Sequence, residues 1–143
     1  MELRAYVGVV ACKIEDKPDG LVGWIEVVNS NVTPARHVRM SMAAAMLDKE
    51  PKESDFPEGS DERKAFDLVQ SATWRRHIPI NGDTNAVKDG TKLFWIWGTI
   101  RYIDIFGDET TVGFRRRSGH YDSKTASWAL VPDQQGNEGR YPE

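Results

Sequence analysis

The longest run of strand-forming residues extends from Lys92 to Gly107, KLFWIWGTIRYIDIFG, and is rich in Trp, Ile, Phe and Tyr. These residues favour β-strands, and Gly107-Asp108 is typical of a tight turn. Successive side chains of a strand point to opposite faces. One face would carry Phe94, Ile96, Gly98, Ile100, Tyr102 and Asp104, and the other would carry Trp95, Trp97, Thr99, Arg101 and Ile103. Because the first half is apolar on both faces, we expect another part of the chain to cover the second face there.

Three strands are predicted before this one. Leu3 to Ile14 alternates small and branched residues, and Leu21 to Ser30 follows after a polar turn at Glu15 to Gly20. Ala35 to Leu47 places Val38, Met40, Met42, Ala44 and Met46 on one face, and His37, Arg39 and Ser41 on the other. Its Met and Ala content would also suit a helix, but the alternation favours a strand.

The segment from Asp48 to Gly90 reads as an excursion between core strands. It begins as an acidic loop, and Ser60 is a candidate N-cap for a short helix over Asp61 to Gln70. A short strand is predicted over Ala72 to Ile80, with Asn81-Gly82 as a hairpin turn and Asp83 to Asp89 as an extended piece. We expect this excursion to cover Trp95 and Trp97, and we expect its acidic loop to be dispensable for folding.

Two more strands, Glu109 to Arg117 and Ala126 to Val131, complete the pattern before a polar, Gly-rich tail. About seven short strands with turns between them predict an all-β fold, an antiparallel Ig-like β-sandwich with one short helix in the excursion. A partly closed β-barrel is the alternative. Residues 1–143 would form a single domain, with 48–90 as the excursion and 132–143 as a loose tail.

Composition narrows the class of protein without naming an activity. The net charge of the 143 residues is −3, and residues 48–62 alone carry seven acidic residues against Lys49 and Lys52. This balance is mild and implies no strong preference for a charged partner. The single cysteine, Cys12, excludes an internal disulfide. No apolar run approaches the roughly 18 residues that a membrane helix requires, and no signal peptide is visible.

Several motifs together resemble a known group of proteins. They are the opening RAYVGV, the segment NSNVTPARHVRM, the stretch WIWGTIRYIDIFGDETTVGF, and Trp128 followed by GNEG. This pattern is similar to that of uncharacterised bacterial membrane-associated proteins with a C-terminal Ig-like β-sandwich domain. In that group the domain commonly follows one or two membrane helices, and Asn31-Val32 here replaces a Gly-Gln or similar pair. The resemblance implies a sandwich fold and membrane association through a segment outside this sequence, and it carries no assigned activity.

No catalytic or metal-binding motif emerges from the sequence. His37, His77 and His120 do not stand at metal-ligand spacing to one another or to Cys12, so we predict neither a metal nor another cofactor. Cys12 lies mid-strand among apolar residues, where a buried, inert thiol is expected. Asp104 shares a strand face with Ile100 and Tyr102, and we expect it to accept hydrogen bonds from turn amides or an arginine.

The remaining candidates for function are aromatic and cationic. On a strand, Arg115 and Arg117 share one face while Arg116 shares the other with Phe114, so the three cations form no single patch. We take Trp95, Trp97, Arg101, Arg115 and Arg117 as candidate binding residues, because Trp and Arg dominate association energies. The predicted function is a non-enzymatic interaction module with a protein partner. The alternatives are a small-ligand or carbohydrate-binding domain and, less favoured, nucleic-acid binding or an enzyme with a dispersed site.

Overall fold

The computed structural model describes residues 5–31, 33–57, 60–61, 66–70, 72–82 and 84–132. Its strands are β1 (Val7–Lys17), β2 (Gly20–Asn29), β3 (Ala35–Leu47), β4 (Ser60–Asp61), β5 (Phe66–Leu68), β6 (Thr73–Ile80), β7 (Leu93–Ile103), β8 (Glu109–Asp122) and β9 (Ser127–Pro132). A 3₁₀ turn spans Glu53–Asp55, and one short helix, α1, spans Thr84–Lys88. The all-β prediction is therefore confirmed, and the strand at Ala35–Leu47 has the predicted bounds.

The strands form one antiparallel sheet rather than the two packed sheets of an Ig-like sandwich. Its order is β4-β3-β7-β8-β9-β1-β2-β6, and β5 also pairs with β3. The two ends of the sheet approach each other, since the Arg76 side chain of β6 donates to the Met40 carbonyl of β3 over 3.0 Å. The sheet is thus nearly closed into a barrel, and the Ig-like prediction is wrong. Sequence alternation alone does not distinguish the two, because both architectures bury one face of each strand.

The barrel interior is filled by the strand faces that the alternation predicts. Ile100 and Val38 are fully buried, and Tyr102 is almost so. Trp24 is also covered, but on the outer surface of the barrel. There its indole Nε1 donates to Glu15 over 2.7 Å, and the Arg75 guanidinium lies 3.8 Å from its ring centroid. The long side chains of Glu15 and Arg75 therefore shield this ring in place of the apolar core.

Three predictions between residues 48 and 90 are wrong. Phe66–Leu68 is a strand paired with β3, so the helix predicted over Asp61 to Gln70 does not extend there, and residues 62–65 lie outside the described residues. The Asn81-Gly82 hairpin is absent, because β6 pairs with β2 along eight residues and is followed by α1. The piece predicted as extended over Asp83 to Asp89 therefore contains a helix, Thr84–Lys88. That helix buries Val87 and ends at Lys88, and the turn after it contains Gly90, whose φ of +83° is typical of the residues that follow a helix.

Two buried polar side chains join the N-terminal segment to distant parts of the barrel. Asn29 is fully buried: its Oδ1 accepts from the amides of Tyr6 and Asn31, and its Nδ2 donates to the carbonyls of Thr33 and Leu68. The Tyr102 hydroxyl accepts from the Val7 amide over 3.4 Å and donates to the Ala5 carbonyl over 3.2 Å. These bonds fix the start of β1 against β2 and β7.

Candidate functional site

Three of the five predicted binding residues meet on the outer surface of the barrel. Trp97 lies directly opposite Arg115 across the β7–β8 pair, and Trp95 lies opposite Arg117. On the other side, Trp95 and Trp97 pair with Ala45 and Ala43 of β3. The small alanine side chains leave the indole rings standing above their neighbours, because directly paired residues share one face of a sheet. We call the set Trp95, Trp97 and Arg115 the Trp–Arg surface.

This surface is covered by the acidic loop that follows β3. The Phe56 ring lies edge-on to both indoles, with centroid distances of 5.3 Å to Trp95 and 5.1 Å to Trp97. The Trp97 Nε1 donates to the Pro57 carbonyl over 2.7 Å. Consequently Trp95 is only 2% exposed and Trp97 only 7%. The predicted cover is present, and the indoles are not an open surface while the loop is docked. Because Phe56 and the Pro57 carbonyl dock this loop, we no longer expect it to be dispensable for folding.

A bidentate ion pair anchors the same loop. The Arg115 guanidinium donates to both carboxylate oxygens of Glu53, over 2.8 and 3.0 Å, and lies 3.8 Å from the Phe56 ring centroid. The hydrogen bonds and charge of Arg115 lower the pKa of Glu53 below its ordinary value. Arg115 is 8% exposed, whereas the Glu53 side chain is 69% exposed. The loop therefore approaches from solvent and adds little burial beyond Phe56.

The other two predicted residues lie apart from this cluster. Arg101 is half-buried further along the outer face, paired with Arg39 of β3 and Thr111 of β8. Arg117 is exposed beyond Trp95. Arg101 and Arg117, together with Arg39 and Arg115, place four arginines on this outer face. Their positive charge complements the negative charge of the loop that covers the face.

A second candidate site is a cleft in the barrel wall between β1 and β8. Strand β9 separates them only in part: β1 pairs with it at Lys13–Glu15, and β8 pairs with it between Arg116 and Asp122. In the part of the chain that the structure describes, the first half of β1 and the first half of β8 face each other without a shared strand ladder. The edges of two strands therefore flank the cleft.

The walls of this cleft are mostly apolar. It encloses about 300 Å³, and its lining residues include Val7, Val9, Val10, Val112, Phe114 and Arg116. Val7, Val112 and Phe114 are buried, whereas Val10 is 55% exposed. Val10 stands at a register shift between Val9 and Ala11, where a β-bulge turns an extra side chain outward. At Gly8, also in the lining, an added Cβ would meet no heavy atom within 4 Å.

The residues considered for catalysis or metal binding do not form a site. Burial raises the pKa of the Cys12 thiol to about 12. Among the described residues no group of three or more His, Cys, Asp or Glu side chains could hold a metal, and all three histidines are exposed. Asp104 is buried and accepts from the amides of Phe106 and Asp108, as expected for a carboxylate that shapes the turn.

Sequence reasoning missed the residues that complete both sites. Phe56 is the only aromatic residue between Asp48 and Glu62, and a single aromatic in an acidic stretch was a usable signal for an anchoring contact. The adjacent pair Val9-Val10 breaks the alternation of β1 and was a usable signal for the bulge beside the cleft. The cleft itself had no local signal, since it depends on where β9 ends relative to β1.

No protein-family model matches the chain, and no curated protein or solved structure matches it either. The family resemblance suggested by its motifs thus stays an expectation. The two candidate sites are supported by the geometry of the barrel alone. Of the helices in the described residues, none has the length and apolar character needed to cross a membrane.

Proposed function

We propose that this domain is a non-enzymatic interaction module that holds an extended segment of a partner protein in the cleft between β1 and β8. The observation that carries the proposal is the pair of strand edges that flank an apolar cleft. A segment entering there would add main-chain hydrogen bonds to a strand edge, while its alternate side chains face the valines of the cleft. Membrane association, implied by the resemblance alone, is proposed only as the setting of this module.

The shape of the cleft supports an extended occupant. Gly8 on β1 and Gly113 on β8 both line it and carry no side chain, so a neighbouring backbone can approach each strand closely. Val10 is the most exposed of its apolar residues and is available for burial by a partner. A carbohydrate platform has less support, since four of the five tryptophans are buried and Trp74 is half-buried.

The test is a selection from a displayed library of random nine-residue peptides, followed by calorimetric titration of the purified peptides. We expect selected peptides to alternate apolar and polar residues and to lose at least about tenfold in affinity on Gly8→Phe, which adds a large side chain to the lining where a Cβ meets no heavy atom within 4 Å. Val10→Ser should weaken binding by about fivefold, for roughly 1 kcal/mol of lost burial.

Val69→Ser is the matched control, because Val69 is 59% exposed and does not line the cleft. Affinity on this variant should equal that of the unaltered chain. Peptides that bind Gly8→Phe and the unaltered chain equally, or a selection that yields no peptide, would contradict the proposal.

A small apolar carboxylate is the second candidate occupant. A volume of about 300 Å³ matches a small ligand, and Arg116 places one cation in an otherwise uncharged lining. Ligand pockets commonly combine apolar walls with a few polar groups. Titration with decanoate would show this: saturable binding that is lost on Arg116→Gln, without any peptide binding, would favour the ligand over the protein segment.

A further inference from the structure

We infer that the Trp–Arg surface is a second recognition site, specific for a partner segment with a glutamate three residues before a phenylalanine. The chain's own loop, with Glu53 and Phe56, occupies this site as an internal ligand. The inference is independent of the cleft between β1 and β8, which lies on the opposite edge of β8.

The contacts of the loop have the composition of a binding interface rather than of a core. Two tryptophans and an arginine receive one phenylalanine ring and one carboxylate, and Trp, Tyr and Arg are the residues that most often dominate association energies. The guanidinium fork matches the carboxylate with two bonds, which specifies both the charge and its orientation. The ring of Phe56 is set at a fixed position between the two indoles.

The internal ligand is held by few groups and leaves one donor unsatisfied. None of the three residues in the 3₁₀ turn Glu53–Asp55 is buried. Over Glu53 to Pro57, all of which are described, the contacts with the barrel are those of Phe56, the Pro57 carbonyl and the exposed side of an ion pair. Beneath it, the Trp95 Nε1 is buried and has no acceptor among the described residues. A partner segment that presents a carbonyl to this indole would satisfy a group that the loop does not.

The charge of the surface selects the same chemistry. Arg39, Arg101, Arg115 and Arg117 share the outer face of β3, β7 and β8, whereas the loop lies in a segment of net charge −5. A partner that displaces the loop must bring a comparable negative charge, or it leaves Arg115 without its carboxylate. This requirement excludes neutral and basic segments and defines the partner as acidic and aromatic.

The test uses a labelled peptide with the sequence of residues 50–57, EPKESDFP, and the full chain carrying Glu53→Gln and Phe56→Ala, in which the internal ligand is removed. Fluorescence anisotropy should show saturable binding to this variant and affinity at least about tenfold weaker for the unaltered chain, whose own loop competes. A peptide with alanine in place of its phenylalanine should not bind.

Matched arginine variants locate the site. Arg115→Lys, added to the loop variant, should weaken peptide binding about tenfold because the bidentate fork is lost. Arg75→Lys should leave it unchanged, because Arg75 lies on β6 beside Trp24 and outside the Trp–Arg surface. Gly8→Phe should also leave it unchanged, which separates this site from the cleft. If the double variant does not fold, as judged by near-UV circular dichroism, Glu53→Gln alone is titrated with the same expectation.

Three results would overturn the inference. They are an absence of saturable binding to the loop variants, equal binding by the altered and unaltered chains, and equal effects of Arg115→Lys and Arg75→Lys. Sedimentation of the unaltered chain checks the source of the segment. If the unaltered chain sediments with the mass of a dimer and the Phe56→Ala variant with the mass of a monomer, the occupant is a second copy of this chain and not a separate partner.

Discussion

Replacing Phe56 by alanine tests whether the acidic loop is part of the folded structure. The ring is half-buried and contacts Trp95, Trp97 and Arg115. A fully buried phenylalanine costs about 3–5 kcal/mol when truncated, and a half-buried one about half of that. Each edge-on aromatic pair adds roughly 0.5–1.5 kcal/mol beyond the buried area. Since these terms overlap, we expect Phe56→Ala to lower the free energy of unfolding by about 2–3 kcal/mol.

Urea unfolding, followed by far-UV circular dichroism so that the signal does not depend on the tryptophans, measures this difference. For a chain of this size, about 2–3 kcal/mol corresponds to a melting temperature lower by roughly 6–9 °C. Ser54→Ala is the control, because Ser54 is exposed in the same loop, and its change should stay within about 0.5 kcal/mol. Deleting residues 50–59 should cost at least as much as Phe56→Ala. An effect of Phe56→Ala no larger than that of Ser54→Ala would refute the reasoning.

Three further predictions concern the core and the pH dependence. Ile100→Ala, at a fully buried position, should cost about 2–5 kcal/mol in urea unfolding, and a cost below about 0.5 kcal/mol would exclude this side chain from the core. Asn29→Ala should lower the free energy of unfolding by about 2–4 kcal/mol, because it leaves two backbone amides and two backbone carbonyls without their hydrogen-bond partner. An unchanged urea midpoint would show that these groups need no partner. Burial raises the pKa of Cys12 from 9.0 to about 12, so native chain at pH 8 should carry roughly a thousandfold less thiolate than unfolded chain and should resist Ellman's reagent until it unfolds. The same shift gives a stabilising contribution that is present below about pH 9 and is lost as the pH rises towards 12, and Cys12→Ala should remove this part of the pH dependence.

The strand faces could be predicted because alternation is a local property. The inward set of β7 and the inward set of β3 follow from a period of two, and neighbouring strands need not be known to assign them. Trp95 and Trp97 make the outer face of this strand apolar, and this predicted that another part of the chain would cover it. Two neighbouring indoles on one strand face are rarely left exposed. Each of these predictions required only the residues of one strand.

The closure of the sheet and the position of its edges could not be predicted in this way. Whether β6 and β3 approach each other depends on the twist summed over every strand between them. Strand β6 was predicted as a short strand within the excursion and not as part of the main sheet, because its partner, β2, lies about fifty residues earlier in the chain. The docking of Phe56 is equally non-local, since it needs a surface formed by β7 and β8, which the chain reaches only later.

The register of β8 explains how one short arginine run serves two separate sites. Arg115 faces outward to Glu53, whereas Arg116 lines the cleft, so a slip of one residue would exchange the two cations between the sites. Gly98 pins this register. A Cβ at this position would collide with the Ser41 carbonyl of β3 and with the Phe114 ring, 2.9 Å away. Phe114, paired with Gly98, therefore has one place in the barrel, and it fixes the faces of both following arginines. The close packing at a glycine thus determines which charge faces the loop and which faces the cleft.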